Sequence, residues 1–147
     1  MYNLFKIGDY MKIVVRDYES NDLNAVNKIL NDAFKVRKDN FDDSCFHEIV
    51  SLNDNEVSGY LLLTKVFNPI RKRIYFLVDY VCVLEKYRGS GASDALIKYA
   101  CDYALNEGAS YLQLTCAPFR VSAHNLYERC GFKKVDTDLY RKELLWF

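Results

Sequence analysis

The stretch from about Arg73 to Leu84 limits the fold most, because it is the longest apolar run in the chain and a glycine-containing turn follows it. Its apolar residues occupy odd and even positions alike, which is typical of a strand buried on both faces. From Ala92 onward, apolar residues recur every three or four positions until Gly108, which predicts an amphipathic helix. A strand, a glycine turn and a long helix in this order predict an α/β fold with this strand at the centre of the sheet.

The rest of the chain alternates between strand-like and helix-like patterns. In chain order it predicts strands at 12–16, 47–52, 57–67 and 111–116, helices at about 23–34 and 122–130, and one or two closing strands within 133–145. The turn-forming Asn53-Asp54-Asn55 joins two of these strands into a hairpin. We expect one mixed α/β domain over residues 12–147, with residues 1–11 as an N-terminal extension.

Composition excludes several classes of protein. A chain of 147 residues that is 50% hydrophobic has enough apolar side chains for one core. Its 20 basic and 20 acidic side chains cancel, so we expect neither a nucleic acid nor a membrane surface as a partner. The longest apolar run is far shorter than the ~20 residues of a membrane span, and the first residues do not resemble a signal peptide.

Cysteine and histidine usage points to a reducing compartment and away from metal chemistry. The five cysteines are widely spaced and odd in number, which disfavours a disulfide framework and favours a cytoplasmic location. With two histidines and no CxxC or HExxH pattern, the sequence predicts no metal site.

The turn after the apolar strand reads Arg88-Gly89-Ser90-Gly91-Ala92-Ser93. Glycines let the backbone approach a ligand closely, and the amino end of the helix that follows favours an anion such as phosphate. The turn has no Gly-Lys-Ser/Thr as in a Walker A loop, and it lacks the third glycine of a dinucleotide fingerprint. Taken alone, it is more typical of a plain helix-capping turn with a solvated arginine.

The same six residues resemble the Q/R-x-x-G-x-G/A signature of the GNAT superfamily of N-acetyltransferases. A second segment, residues 120–132, reads R-V-S-A-H-N-L-Y-E-R-C-G-F and is similar to the second motif of that family. Two motifs in the family's order make the resemblance specific, and it covers residues 12–145. Two positions depart from the pattern: Ser93 replaces the usual Gly or Ala, and Arg120 stands where many members carry an Asn that contacts the coenzyme.

The resemblance implies a single GNAT-like α/β domain whose mostly antiparallel mixed sheet splays at the central strand between flanking helices. It implies acetyl-CoA as co-substrate, with the pyrophosphate on the turn and the pantetheine chain along the strand. Tyr127 matches the family position that protonates the departing sulfur, although a packed tyrosine is the structural alternative. The implied coenzyme-binding residues are Val81, Cys82, Val83, Arg88, Gly89, Ser90, Gly91, Ala92, Ser93 and Tyr127.

The catalytic base is less clearly marked. Asp79 interrupts the apolar strand, where burial would raise its pKa toward a useful range. It could equally cap a twist, bind a backbone amide or face solvent, in which case a water chain would serve as the base. His124, one turn before Tyr127, is either a packed or capping group or an acid or base. The role of Arg120 is open.

These features predict an enzyme that transfers an acetyl group from acetyl-CoA to a primary amine of a small molecule or peptide. The alternative is a catalytically silent GNAT-like module that binds an acyl-CoA or a protein partner. The sequence leaves the acceptor amine open, as it does the choice between monomer and homodimer.

Overall fold

A computed structural model describes residues 2–5 and 11–145 of the chain. The strands in these residues are Tyr2–Phe5 (β1), Lys12–Asp17 (β2), Phe46–Asn53 (β3), Glu56–Asn68 (β4), Arg73–Val83 (β5) and Ala109–Gln113 (β6). The helices are Leu23–Phe34 (α1), Ala92–Asn106 (α2) and Val121–Arg129 (α3), with short 3-10 turns at Ser20–Asp22 and Glu85–Tyr87.

The strands form one sheet in the order β1-β2-β3-β4-β5-β6. Every neighbouring pair is antiparallel except β5 and β6, which run parallel. The predicted fold class, a mixed and mostly antiparallel sheet with flanking helices, is confirmed. The prediction that β5 lies at the centre is wrong, because β6 is its outer neighbour and the last strand of the described sheet.

Two apolar clusters cover the two faces of the sheet. One packs α2 against the sheet, and the other packs α1 against the opposite face. The apolar residues of β5 that suggested burial on both faces all belong to the α2 cluster; these are Ile74, Phe76, Val78, Val81 and Val83. The sequence numbers of these residues change from even to odd between Val78 and Val81, yet all five side chains lie on the same face of the sheet. The interpretation of these five as buried on both faces was therefore wrong, and the change of parity marks an irregularity in the strand.

The ends of the chain differ most from the expectation. Residues 133–145 have no regular secondary structure and are exposed throughout, so the predicted closing strands are absent. Among the described residues, no strand lies beside their N–H and C=O groups, and a strand needs such a partner. At the other end, residues 2–5 pair antiparallel with β2, whereas residues 1 and 6–10 of the predicted extension lie outside the described residues. The domain division at residue 12 stays a prediction.

All five cysteines are free. Among the described residues, no helix has both the length and the hydrophobicity that crossing a bilayer requires.

Candidate active site

The edge of β5 that faces β6 is open over half its length. β5 and β6 pair from Ile74 with Ala109 to Leu77 with Gln113, where β6 ends. The predicted strand 111–116 is therefore shorter than expected at its carboxyl end. Within the described residues, β5 has no strand partner on this side from Val78 onward. Such an edge can hydrogen-bond an extended ligand that carries amide groups.

A β-bulge lies at the start of this open stretch. Leu62 of β4 faces Asp79, and Tyr60 faces Cys82, so two steps along β4 match three steps along β5. The extra residue places Tyr80 in the left-handed region, at φ 55°. A bulge redirects side chains. Both Asp79 and Tyr80 are exposed, while Cys82 is buried again.

The amino end of α2 lies beyond the open edge. Gly91 precedes the helix with φ 95°, and Gly89 has φ 78°. The first helical hydrogen bond runs from the Ala95 N–H to the Gly91 carbonyl at 3.0 Å. The amides of residues 92–94 therefore precede the helical ladder, at the end of the helix where anions bind. Of these, the Ala92 N–H donates to Ser90 Oγ at 3.4 Å.

A buried polar network supports the glycine turn from behind. The Asn53 Nδ2 donates to Ser90 Oγ at 3.1 Å, and the Ser58 hydroxyl donates to Asn53 Oδ1 at 2.6 Å. Ser51 and Ser58 share a further bond of 2.8 Å between their hydroxyls. Asn53, Ser51 and Ser58 are fully buried. The Ser90 hydroxyl is thus directed toward the sheet, and Asn53, predicted as part of a turn, is a core residue.

The open edge and the helix end enclose one cavity of about 650 Å³. This volume is typical of a small-molecule site. Nine of the ten predicted coenzyme residues line it: Val81, Cys82, Val83, Arg88, Gly89, Gly91, Ala92, Ser93 and Tyr127. Ser90 does not line the cavity.

Tyr127 lies on α3, with its ring edge-on to Phe132 at 5.8 Å between centroids. Burial raises the pKa of its hydroxyl, and the nearby Cys116 thiol acts in the same direction, while the Arg120 guanidinium opposes both. The hydroxyl therefore holds its proton at neutral pH and can act as a proton donor.

Two side chains that line the cavity, Phe34 and Arg120, come from distant segments, and Tyr80 packs against the first of them. The rings of Phe34, at the end of α1, and Tyr80, in the bulge, touch edge-to-face at 5.3 Å. The Arg120 guanidinium lies 5.8 Å from the Phe34 ring centroid, and Phe34 and Arg120 both line the cavity. Tyr80 was not predicted as a site residue, because only the change of parity in β5 hints at it. The sequence pattern places Phe34 on an ordinary helix face.

Of the alternatives that the sequence leaves open for Asp79, the structure shows the one in which it faces solvent. It is exposed, and it does not line the cavity. The bulge at Tyr80 is the reason, because it turns Asp79 toward solvent. The Asp79 carboxylate still contributes to the raised pKa of Tyr127, so the two groups interact electrostatically.

His124 contacts the loop that precedes α3. Its Nε2 lies 2.9 Å from the Ala117 carbonyl, which ties the helix to residues 117–120. Among the described residues, no group of three or more His, Cys, Asp or Glu side chains is arranged to hold a metal ion.

Comparison with known proteins agrees with this geometry. The model of the Acetyltransferase (GNAT) family matches residues 10–132. The chain belongs to this family. The resemblance carried by the two motifs is thereby confirmed.

The GNAT chain is similar to curated acetyltransferases over part of their length. It is 29% identical over 133 residues to mouse thialysine N-epsilon-acetyltransferase, covering 84% of this chain and 76% of the mouse protein. It is 27% identical over 99 residues to streptothricin acetyltransferase of Escherichia coli, covering 67% of this chain but only 52% of that enzyme.

A solved structure shares the fold. AAC(6')-Iy in complex with the bisubstrate analog CoA-S-monomethyl-acetylneamine superposes with a TM-score of 0.79 at 11% identity, covering 90% of this chain and 99% of that chain. At this identity the match shows the GNAT fold alone.

Proposed function

We propose that this GNAT protein transfers an acetyl group from acetyl-CoA to a primary amine of a small molecule or peptide. One observation supports the proposal above all: a single cavity joins the open edge of β5, the amino end of α2 and the hydroxyl-bearing side chain of Tyr127. An extended amide chain, a phosphate group and a departing sulfur each need one of these three features.

The space around Gly89 and Gly91 fits a bound acetyl-CoA. A Cβ atom on Gly89 would meet no atom within 4 Å, and one on Gly91 would meet only Ile13 Cδ1, at 3.9 Å. The backbone there borders open space, as a turn that holds a pyrophosphate must. Residues 88–93 would hold the pyrophosphate, and Val81, Cys82 and Val83 would hold the pantetheine chain. We call residues 81–83 and 88–93 the coenzyme half of the cavity.

We assign the two proton transfers of the reaction to residues beside the coenzyme half. Bound acetyl-CoA supplies an acetyl thioester, which a neutral amine attacks. Tyr127 Oη would give its proton to the departing sulfur, and the raised pKa keeps that proton in place at neutral pH. Asp79, or a water chain in its place, would take the proton from the amine.

The acceptor would enter past Phe34 and Arg120, which line the cavity. We call these two residues, with Tyr80 packed against Phe34, the acceptor half. The names of the similar proteins include thialysine and streptothricin, and one fold neighbour binds a neamine analog. These compounds share amino groups, so we propose an amine as the acceptor. We also propose a cytoplasmic location, which the five free cysteines support.

The direct test is release of free CoA thiol from acetyl-CoA across a panel of polyamines, aminosugars, amino acids and peptide amino termini. We expect amine-dependent release with at least one class. A blank without amine corrects for the protein's own thiols, because Cys45 is exposed. Tight acetyl-CoA binding without release on the whole panel would contradict the enzyme and favour the silent acyl-CoA-binding module.

A further inference from the structure

One charged side chain in the acceptor half has no counter-charge. Arg120 lines the cavity, and its guanidinium forms no ion pair with the residues that the structure describes. It lies 5.8 Å from the centroid of the Phe34 ring, so it has an aromatic surface on one side. Such a contact restrains an arginine side chain and leaves the in-plane N–H donors of the guanidinium able to bind another group.

The other charged residues that line the cavity are paired or lie on the coenzyme side. Arg129 binds the Asp94 carboxylate through two hydrogen bonds, of 2.8 and 3.1 Å. Arg88 belongs to the coenzyme half. Asp32 also lines a smaller neighbouring pocket together with Arg88, which places Asp32 toward the coenzyme half. Among the described residues of the cavity wall, Arg120 therefore remains as the charge of the acceptor half.

Arg120 also lies close to the groups that take part in the proposed reaction. It directly precedes α3, seven residues before Tyr127, and two helical turns bring residues at this spacing to the same face. Its positive charge acts against the raised pKa of the Tyr127 hydroxyl and against that of the Cys82 thiol. A guanidinium whose field reaches both of these groups is near enough to contact an acceptor.

A cation at this place selects among amine acceptors. The attacking amine must be neutral, and a nearby positive charge favours the neutral form of an amine. The same charge repels an acceptor that carries several ammonium groups, as a polyamine does. A carboxylate on the acceptor reverses the repulsion, because a guanidinium binds a carboxylate through two parallel N–H···O bonds. The charge of the acceptor half therefore favours an amine that also carries a carboxylate.

We propose that the acceptor is an amine that bears a carboxylate, as a free amino acid does, and that Arg120 binds this carboxylate. The proposal rests on the proposed acetyl transfer and names the class of its acceptor. Arg120 holds the acceptor by a group that does not react, so that the amine is directed toward the acetyl thioester. The carbon chain between the two groups then lies against the Phe34 ring.

The decisive test compares an amino acid with the amine that remains when its carboxylate is removed. The pairs are lysine with cadaverine, ornithine with putrescine, and phenylalanine with phenethylamine. Release of CoA thiol gives kcat/KM for each compound, at equal concentrations of neutral amine, because a carboxylate also shifts the pKa of a neighbouring amine. In at least one pair we expect kcat/KM to be about tenfold higher for the amino acid. No preference for the amino acid in any pair would overturn the proposal.

A matched pair of variants separates a contact at Arg120 from the general field of the cavity. Arg120→Gln should reduce the preference from about tenfold to about twofold, and Arg120→Lys, which keeps the charge but not the two parallel donors, should retain part of it. Arg129→Gln removes the same charge from the same cavity wall and should leave the preference unchanged, because Arg129 is bound to Asp94. No fall in Arg120→Gln, or an equal fall in Arg129→Gln, would contradict the assignment of Arg120.

Calorimetry tests the carboxylate site separately from the enzymatic activity. The same pairs are titrated into the protein saturated with CoA, which has no acetyl group to transfer. We expect the amino acid of at least one pair to bind about tenfold more tightly than its amine in the parent, and within about twofold in Arg120→Gln. This difference in affinity without turnover would contradict the proposed enzyme and still support the carboxylate site. Equal or unmeasurable affinities in every pair would overturn the carboxylate site, whatever the turnover.

Discussion

The coenzyme half and the acceptor half of the cavity are built in different ways. The coenzyme half comes from one stretch of chain, the end of β5 and the turn into α2, in which neighbours in sequence are neighbours in space. The acceptor half joins Phe34, Tyr80 and Arg120 from three separate elements. A local motif can hold a constant ligand, whereas dispersed side chains can change one at a time, as a variable acceptor requires. Changes in the first half should therefore affect every reaction, and changes in the second only some.

The largest effect is expected at Gly91, in the coenzyme half. Gly91→Glu places a side chain and a negative charge at the amino end of α2, in a left-handed conformation. We expect acetyl-CoA affinity to fall by more than about 100-fold with every acceptor. Calorimetry measures the affinity directly.

Gly108→Glu is the matched control for this change. Gly108 has φ 79° and lies just beyond the opposite end of the same helix, with open space where a Cβ atom would lie. It adds the same charge and a similar backbone strain outside the cavity. Equal loss of affinity in both variants would remove residues 88–93 as the coenzyme site.

Tyr127 joins the two halves and should determine the rate. Tyr127→Phe keeps the ring and removes the proton donor, so kcat should fall about 100-fold, or about 2.7 kcal/mol, with acetyl-CoA affinity unchanged. Tyr87 also lines the cavity, but its hydroxyl is bonded to Glu56. We expect Tyr87→Phe to keep kcat within about threefold. Full turnover in Tyr127→Phe would refute the proton-donor role.

The network behind the glycine turn should have a smaller effect. Asn53→Ala removes the bonds of Asn53 to Ser90 and Ser58, and leaves Ser58 bonded to Ser51 alone. We therefore expect acetyl-CoA affinity to fall about tenfold and stability by about 1–3 kcal/mol. Asn27 is also buried, but it bonds to the Lys38 backbone, far along the chain from the turn. Asn27→Ala should cost stability alone. If both variants bind acetyl-CoA like the parent, the network does not position the turn.

Arg120 and Arg88 test the division between the halves directly. We expect Arg120→Gln to raise KM for the acceptor about fivefold and to leave KM for acetyl-CoA unchanged, because its guanidinium lies over Phe34. Arg88→Gln should do the reverse, because Arg88 precedes the glycine turn. Steady-state kinetics with both substrates varied would separate the two. A raised KM for acetyl-CoA in Arg120→Gln would place this residue in the coenzyme half.

The smallest effect concerns pH. Burial raises the pKa of Tyr127 above its usual value near 10, so the protonated donor persists below that pH and is lost only as pH rises through the raised pKa. We therefore expect kcat to stay within about twofold between about pH 8 and 9.5. A fall with a midpoint near pH 8.5 in the parent but not in Tyr127→Phe would show that this tyrosine titrates too early to be the donor.

The sequence predicts the coenzyme half of the cavity better than the acceptor half. The glycine turn and the strand before it were predictable because their signal lies in adjacent residues. The exposure of Asp79 was left open, because it depends on the bulge at Tyr80, which alternation alone shows only as a change of parity. Asn53 has the composition of a turn, and its burial depends on the side chains of Ser58 and Ser90.

The closing strands show a different limit. Alternation within residues 133–145 indicates that the segment can form a strand. It does not indicate which edge the segment joins, or whether that edge lies in the same chain. Strand pairing depends on tertiary structure, and so the prediction of closing strands failed. The helices predicted at 23–34 and 122–130 are correct to within a residue or two, because a helix forms its hydrogen bonds within its own segment.

The position of β5 between the two clusters also has a consequence for hydrogen exchange. Val78 and Val83 pack under α2 and Cys82 packs under α1, so neither face can loosen without disturbing this strand. The β5 amides that bond to β4 should then exchange with deuterium only by opening of the whole domain. A ligand on the opposite edge of the same strand would slow that opening everywhere at once. At 100 times its dissociation constant it would add about 2.7 kcal/mol to the protection of amides in β3 and β4 that it never touches.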